Sequence, residues 1–221
     1  DLSQSNFLKS FEIIIQLGAI ASVIVLYWKS FFDLTLLKKL AVAFAPTALI
    51  GFLLYKIVKI YFLGNDTVVL WALFIGGIAL IVFELLHKEK EDAADSLQSI
   101  SYSQSFFIGL FQSLALVPGV SRSAATIVGG LLLNLKRKTI VEFSFLLAVP
   151  TMLAASGLDL LKNASSFSLG EAGTLAVGFL TAFFVAMGSI KLLLDFVQKY
   201  NFISFGIYRI ILALLFWFTV F

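Results

Sequence analysis

Apolar residues are concentrated in six stretches that are each long enough to form a membrane-crossing helix. A helix needs about 20 predominantly apolar residues to cross a hydrocarbon core of about 30 Å. The predicted spans are Phe11–Trp28, Leu37–Val58, Asp66–Leu86, Ile140–Leu161, Gly173–Phe196 and Phe202–Phe221. Aromatic and basic residues at their ends, such as Trp28 and Lys29, are typical of a membrane surface. The pattern predicts an all-α, polytopic membrane protein with six transmembrane helices.

Two shorter apolar arms lie between the third and the fourth predicted span. They are Ser105–Leu116 and Ile127–Leu135, and a Pro118-Gly119 break lies between them. Each arm is about half the length that crosses a bilayer, and proline followed by glycine ends a helix. We therefore predict a re-entrant helix hairpin over residues 105–135. Such irregular backbone is tolerated at membrane depth where protein buries it or where it lines a wet cavity.

The chain contains a weak internal repeat. Glu12 and Glu142 each stand six residues before a small residue, Gly18 and Ala148, at the start of a span. With three spans in each half, the two copies would be inverted, as in many transporters. We predict one integral membrane domain over residues 1–221, with a first repeat over about 1–87 and a second over about 105–221. Residues 88–104 would form a solvated polar loop between them.

Composition supports the membrane class and excludes several others. Hydrophobic residues make up 60% of the chain and charged residues 13%, with a mean hydropathy of +1.02. Soluble domains carry about 25% charged residues. The net charge of +3 is explained by lysines in cytoplasmic loops and gives no reason to expect nucleic acid. The absence of cysteine excludes disulfides and thiolate metal sites.

The hairpin tip has the chemistry of a phosphate site. A helix N-terminus offers unpaired N–H groups and a partial positive charge. Arg122 adds a planar fork that can bind two phosphate oxygens, and Ser121, Ser123 and Thr126 add hydroxyl groups within the same turn. We expect Ser121 or Ser123 to cap the second arm, and Pro118–Val120 to line the binding site. The alternative is a kinked helix pair in which Arg122 only bonds neighbouring carbonyls.

A few polar side chains interrupt the predicted spans. Glu12 and Gln16 share a helix face, where the carboxylate is either functional or bound to a partner. Glu142 lies about one turn into the fourth span and could bind a divalent cation or pair with the adjacent basic cluster, Lys136–Lys138. His87, at a membrane edge, is not expected to be catalytic, and Arg209 is expected to be structural or to reach the interface.

The tip also resembles a known family. Residues 118–126, PGVSRSAAT, resemble the second signature of the undecaprenyl-diphosphate phosphatases of the bacitracin-resistance type, which is usually PGxSRSGxT. Residues 11–19, 142–150 and 207–209 resemble further segments of that family in the same order. Ala124 stands where the family mostly has glycine. The family's glutamate-rich first signature with its Ser-Ser-x-Gly-His stretch is absent, so we expect the chain to lack an N-terminal portion that contains the nucleophile or acid/base, and to be inactive as 221 residues.

The resemblance implies hydrolysis of undecaprenyl diphosphate to the monophosphate, which recycles a carrier lipid for the cell wall. It assigns catalytic roles to Arg122, Ser121, Ser123 and Thr126, and a magnesium or calcium ion would be held by Glu12 and Glu142. Gln16 joins the substrate-binding residues. The expected partners are a polyprenyl diphosphate, the bacterial plasma membrane and a second copy of the chain in a homodimer. The alternatives are a lipid flippase that binds the head group without cleaving it, and a scaffold without ligand.

Lysine and arginine counts predict the orientation, because cytoplasmic loops carry more basic residues. One face collects Lys29, Lys38, Lys39, Lys88, Lys90, Lys136, Arg137, Lys138, Lys191 and Lys199. The other face has Lys56, Lys59 and Lys162. The first face is therefore predicted to be cytoplasmic and the C-terminus to lie outside. The resemblance implies a site that opens outward.

Overall fold

The computed structural model describes residues 6–62, 64–163 and 172–220. Within these ranges the chain forms eight α-helices, in agreement with the all-α prediction. They are α1 (Asn6–Leu26), α2 (Leu34–Ile57), α3 (Asp66–Leu86), α4 (Tyr102–Gln112), α5 (Arg122–Leu132), α6 (Arg137–Asn163), α7 (Ala172–Lys199) and α8 (Ile203–Val220). Short 3-10 turns follow α1 and α4, and a π-helical turn follows α2.

A helix lies over each of the six predicted spans, and α3 has the predicted bounds. Four helical segments of the described chain are long and apolar enough to cross a membrane: Leu34–Phe62, Asp66–Leu86, Arg137–Gly157 and Ala172–Lys199. Two shorter apolar helices, Ser10–Leu26 and Ile203–Thr219, accompany them. The prediction of a helical membrane protein with several spans is confirmed.

Some helices begin or end at residues other than the predicted ones. The first arm of the hairpin was predicted from Ser105, but α4 begins at Tyr102. The Ser101 side chain accepts from the Gln104 N–H, and the Gln104 side chain accepts from the Ser101 N–H. This reciprocal capping pair starts the helix one turn earlier than the apolar pattern indicates. The first span was predicted to reach Trp28, but α1 ends at Leu26.

The chain divides into two compact units, Asp1–Leu37 with Phe145–Asp195, and Lys38–Ser144 with Phe196–Phe221. In the first unit, α1 packs closely on α7, because Gly18 lies directly against the main chain of Phe179 and leaves no room for a methyl group. The buried residues at its centre come from α1, α6 and α7 and are Ile20, Val23, Val149 and Ile190.

In the second unit, α3 packs along α8. A methyl group at Gly77 would lie 2.8 Å from the Gly206 carbonyl oxygen, so the two backbones touch at this point. Gly76 and Gly77 thus mark the point where α3 and α8 pack closely. The helices α4 and α5 form a hairpin, in which Gln104 Nε2 at the start of α4 donates to the Leu133 carbonyl beyond the end of α5 at 2.9 Å.

The polar segment before the hairpin is hydrogen-bonded to the base of the hairpin, where α5 ends and α6 begins. Ala94 donates to the Asn134 carbonyl at 3.0 Å and accepts from the Lys136 N–H at 2.9 Å. Ala93 and Ile100 are buried. The charged side chains predicted to be solvated are exposed: Lys88, Glu89, Lys90, Glu91, Asp92 and Asp95.

Candidate functional site

The tip of the hairpin is a tight turn that joins α4 and α5. Val120 donates to the Val117 carbonyl at 3.1 Å, and Gly119 has a φ of +90°. Proline at the second position and a glycine with positive φ at the third define a type II turn. A methyl group at Gly119 would lie 2.5 Å from the Val69 carbonyl oxygen of α3. Glycine is therefore required by both the backbone angle and the close approach of α3.

Ser121 caps α5, as the sequence predicts for Ser121 or Ser123. Its Oγ accepts from the Ala124 N–H at 3.2 Å and lies 3.1 Å from Ser123 Oγ. This cap satisfies one of the N–H groups that a helix start leaves without an intrahelical partner. The turn and the cap together fix the direction in which the N-terminus of α5 points.

Arg122 is the first residue of α5, and its side chain is partly exposed. Ser123, beside it, is exposed. A cation at a helix N-terminus is unfavourable to the helix itself, because the dipole already places positive charge there. The same arrangement favours a bound anion, because first-turn N–H groups and a guanidinium both donate hydrogen bonds to anions. The tip is therefore suited to a phosphate group.

Thr126 is brought to the tip, but its hydroxyl is already bound. The side chain is 1% exposed, and Oγ1 lies 2.7 Å from Ser144 Oγ of α6. The same oxygen lies within hydrogen-bond distance of the Arg122 and Ser123 carbonyls, at 3.1 and 3.0 Å. Thr126 thus connects the first turn of α5 to α6. No local sequence pattern indicates Ser144 as its partner.

Glu142 lies two residues before Ser144, in the part of α6 that packs beside α5. It is partly buried, and Lys138 attracts its carboxylate from one turn earlier. The strongest partner of the basic cluster is a different acid, because Arg137 forms a double contact with Glu84 at 2.5 and 3.2 Å.

Glu12 and Gln16 belong to the first unit, whereas the tip belongs to the second. Both side chains are exposed on α1. Gln16 Oε1 accepts from Ser156 Oγ at 2.9 Å, and Ser156 is buried. The amide N–H groups of Gln16 are the part of this side chain that can contact a ligand.

Acidic side chains are the natural ligands for a divalent cation in the described residues. In this part of the chain, no three or more histidine, aspartate or glutamate side chains come together as a metal-binding group. Magnesium is often held by only one or two carboxylates together with phosphate oxygens and water. A single carboxylate such as Glu12 or Glu142 fits that sparser mode of binding.

Arg209 is a residue near the tip that the sequence did not connect with it. Its Nη2 donates to the Gly119 carbonyl at 2.9 Å and to the Ala72 carbonyl at 3.2 Å. It also lines a groove of about 220 Å³ with Ser121 and Ala124. The only available signal was that residues 207–209 resemble a segment of the family suggested by the tip motif.

Comparisons with known proteins agree with the tip motif. The family model "Bacitracin resistance protein BacA" matches residues 2–215. An undecaprenyl-diphosphatase of Sulfurihydrogenibium sp. is 51% identical over 216 residues, which cover 98% of this chain and 85% of the relative. The undecaprenyl-diphosphatase of Wolinella succinogenes is 50% identical over 98% of this chain and 84% of its own length, and that of Aquifex aeolicus is 45% identical over 97% and 84%. The chain belongs to the bacitracin resistance protein BacA family.

Proposed function

We propose that this protein hydrolyses undecaprenyl diphosphate to undecaprenyl phosphate and inorganic phosphate. The observation that carries the proposal is the identity of about half the residues with undecaprenyl-diphosphatases over nearly the whole chain. The hairpin tip supplies the corresponding chemistry, because it presents a capped helix N-terminus, a guanidinium and hydroxyl groups in one turn. The protein is accordingly a membrane hydrolase.

The reaction breaks the bond between the terminal phosphorus and the bridging oxygen of the diphosphate. The elements of water are added, and undecaprenyl phosphate leaves with the bridging oxygen. Catalysis of phosphoryl transfer depends mainly on positioning and on stabilising charge on the phosphate oxygens. Arg122 binds those oxygens through its fork, and the hydroxyl groups of Ser121 and Ser123 donate to them.

The other site residues support this arrangement. The Pro118–Val120 turn lets the main chain approach the phosphate, and Thr126 fixes the first turn of α5 against α6. A magnesium or calcium ion would use a carboxylate such as Glu142, in the unit that contains the tip, or Glu12, in the first unit, and would offset negative charge on the diphosphate when bound.

The lipid tail requires access from the bilayer. Two grooves of about 470 and 220 Å³ flank the tip, and both include Gly76 and Val120 in their walls. Their walls are mostly apolar, and the smaller groove extends to Ser121. This supports an arrangement with the prenyl chain in an apolar groove and the diphosphate at the N-terminus of α5.

The proposed function also requires a particular arrangement of the helices in the membrane. We infer six transmembrane helices with α4 and α5 as a re-entrant hairpin, in an inverted repeat within one membrane domain. The protein resides in the bacterial plasma membrane with its C-terminus outside and its site open outward, and it can form a homodimer. The distribution of basic residues supports the orientation, and the short lengths of α4 and α5 support the hairpin.

The test is phosphate release from undecaprenyl diphosphate by the protein expressed from its complete gene and purified in detergent. We expect release that falls on chelation and returns with magnesium or calcium, and a loss of at least about 100-fold in Arg122→Ala. Arg137→Gln is the matched control. Arg137 belongs to the same compact unit as Arg122, but its guanidinium contacts Glu84 and not the tip. Movement of the lipid without phosphate release would identify a flippase and contradict the proposal.

A further inference from the structure

Arg209 occupies an unusual position for a charged residue. It lies in α8, an apolar helix that packs along α3. Its guanidinium Nη2 donates to two main-chain carbonyls, those of Gly119 at the hairpin tip and of Ala72 in α3. Residue 209 and residue 119 are 90 positions apart in the chain. A single side chain therefore joins α8, α3 and the turn that precedes α5.

The surroundings are shaped to admit this guanidinium. A methyl group at Gly76 would lie 2.7 Å from Nη2, so an alanine there would displace the arginine. The contact of Gly77 with Gly206 brings α3 and α8 close enough for the side chain to reach across to the tip. The absence of a side chain at Gly76 is thus explained by Arg209 as well as by helix packing.

The contacts of Arg209 indicate a role other than stabilising the fold. Among the described residues, Arg209 has no acidic partner within ion-pair distance, and its Nε is buried without a hydrogen-bond partner. A buried donor without a partner and a charge in an apolar helix both cost free energy. The Gly119 carbonyl that receives the arginine belongs to the turn that sets the direction of Ser121 and Arg122.

We propose that Arg209 is a positioning residue of the phosphate site, which acts by holding the Gly119 carbonyl. It keeps the Pro118-Gly119 turn in the conformation that aims the capped start of α5 at the substrate. The inference rests on the proposed function for the identity of the substrate, but the contact with the tip can be tested without it. Arg209 itself does not touch the reacting phosphate.

The first experiment measures amide hydrogen exchange of residues 117–125 in wild type, Arg209→Gln and Arg209→Lys, each in the complete protein in detergent. Loss of a charged hydrogen bond should speed exchange at the tip about tenfold or more in Arg209→Gln, with a smaller change in Arg209→Lys, which keeps one cationic donor. Arg137→Gln is the control and should leave the tip unchanged. Equal exchange at the tip in wild type and Arg209→Gln would overturn the inference.

The second experiment measures kcat and KM for undecaprenyl diphosphate, per folded molecule. We expect Arg209→Gln to lower kcat about tenfold or more with KM nearly constant, and Arg209→Lys to recover part of it. Gly76→Ala keeps the charge but displaces the guanidinium and should resemble Arg209→Gln, whereas Gly188→Ala, which has free space around it, should resemble wild type.

The outcomes separate this inference from the proposed function. If Arg209→Gln speeds amide exchange at the tip but the wild-type protein releases no phosphate, the contact would be supported and the phosphatase activity would be contradicted. A raised KM with unchanged kcat and unchanged exchange would show that Arg209 binds the lipid directly, which overturns the positioning role.

Discussion

At the scale of single residues, the tip shows that a hydroxyl in a motif need not face the ligand. Ser121 and Ser123 lie at the accessible start of α5, but Thr126 is buried and bound to Ser144. A Thr hydroxyl has one proton to donate. Because Thr126 Oγ1 lies near two carbonyls and the Ser144 hydroxyl, its hydrogen-bonding capacity is used within the protein.

Thr126→Val tests whether this hydroxyl acts on the fold or on the substrate. The variant leaves the buried Ser144 hydroxyl without its partner, so we expect a loss of about 1–3 kcal/mol in the free energy of unfolding. Thr126→Ser keeps the hydroxyl and should lose about 1 kcal/mol for the methyl group. Thermal unfolding in detergent, with phosphate release per folded molecule, measures both effects. A collapse of kcat in Thr126→Val at unchanged stability would assign the hydroxyl to the substrate.

At the scale of elements, the turn between α4 and α5 determines where the site residues stand. Gly119 has a φ of +90°, which residues with a side chain rarely adopt, and α3 approaches it closely. The Pro-Gly pair therefore does more than end a helix. It sets the angle between the two arms and leaves the Gly119 carbonyl free to accept from Arg209.

Gly119→Ala is expected to be strongly destabilising. The positive φ costs about 1–3 kcal/mol for alanine, and the methyl group must also displace the Val69 carbonyl. Gly188→Ala in α7 is the matched control, because nothing lies within 4 Å of the added methyl group. Alanine is favoured over glycine in a helix by about 1 kcal/mol, so this control should be neutral or stabilised. Equal unfolding temperatures for the two variants in detergent would contradict the role of the turn.

The sequence was sufficient for the elements but not for the contacts between them. Apolar length located α3 at its observed bounds, because membrane spans depend on local composition. The Ser121 cap and the Pro-Gly turn were also predictable, since both are determined by neighbouring residues. The bonds of Thr126 to Ser144 and of Arg209 to Gly119 join residues 18 and 90 positions apart, so no local pattern indicates them.

At the scale of the whole molecule, the proposed orientation depends on how charged side chains are distributed among the loops. The exposed charged segment Lys88–Asp95 is attached to the base of the hairpin through Ala94, and Arg137 joins this base to Glu84 and Glu89. The end of the hairpin opposite the tip is therefore surrounded by charged side chains. This fits a hairpin whose base lies at a basic membrane surface while its tip lies deeper.

The orientation can be measured directly, because the chain contains no cysteine. Lys59 follows α2 and Lys90 follows α3, and both side chains are exposed. Lys90 belongs to the predicted face with more basic residues, and Lys59 belongs to the opposite face. If the more basic face is cytoplasmic, Lys59→Cys should react with a membrane-impermeant maleimide in intact bacteria, and Lys90→Cys only after the cells are permeabilised. The parent chain without cysteine is the control for background labelling. The reverse pattern would place the C-terminus inside and the basic loops outside, which would contradict the predicted topology.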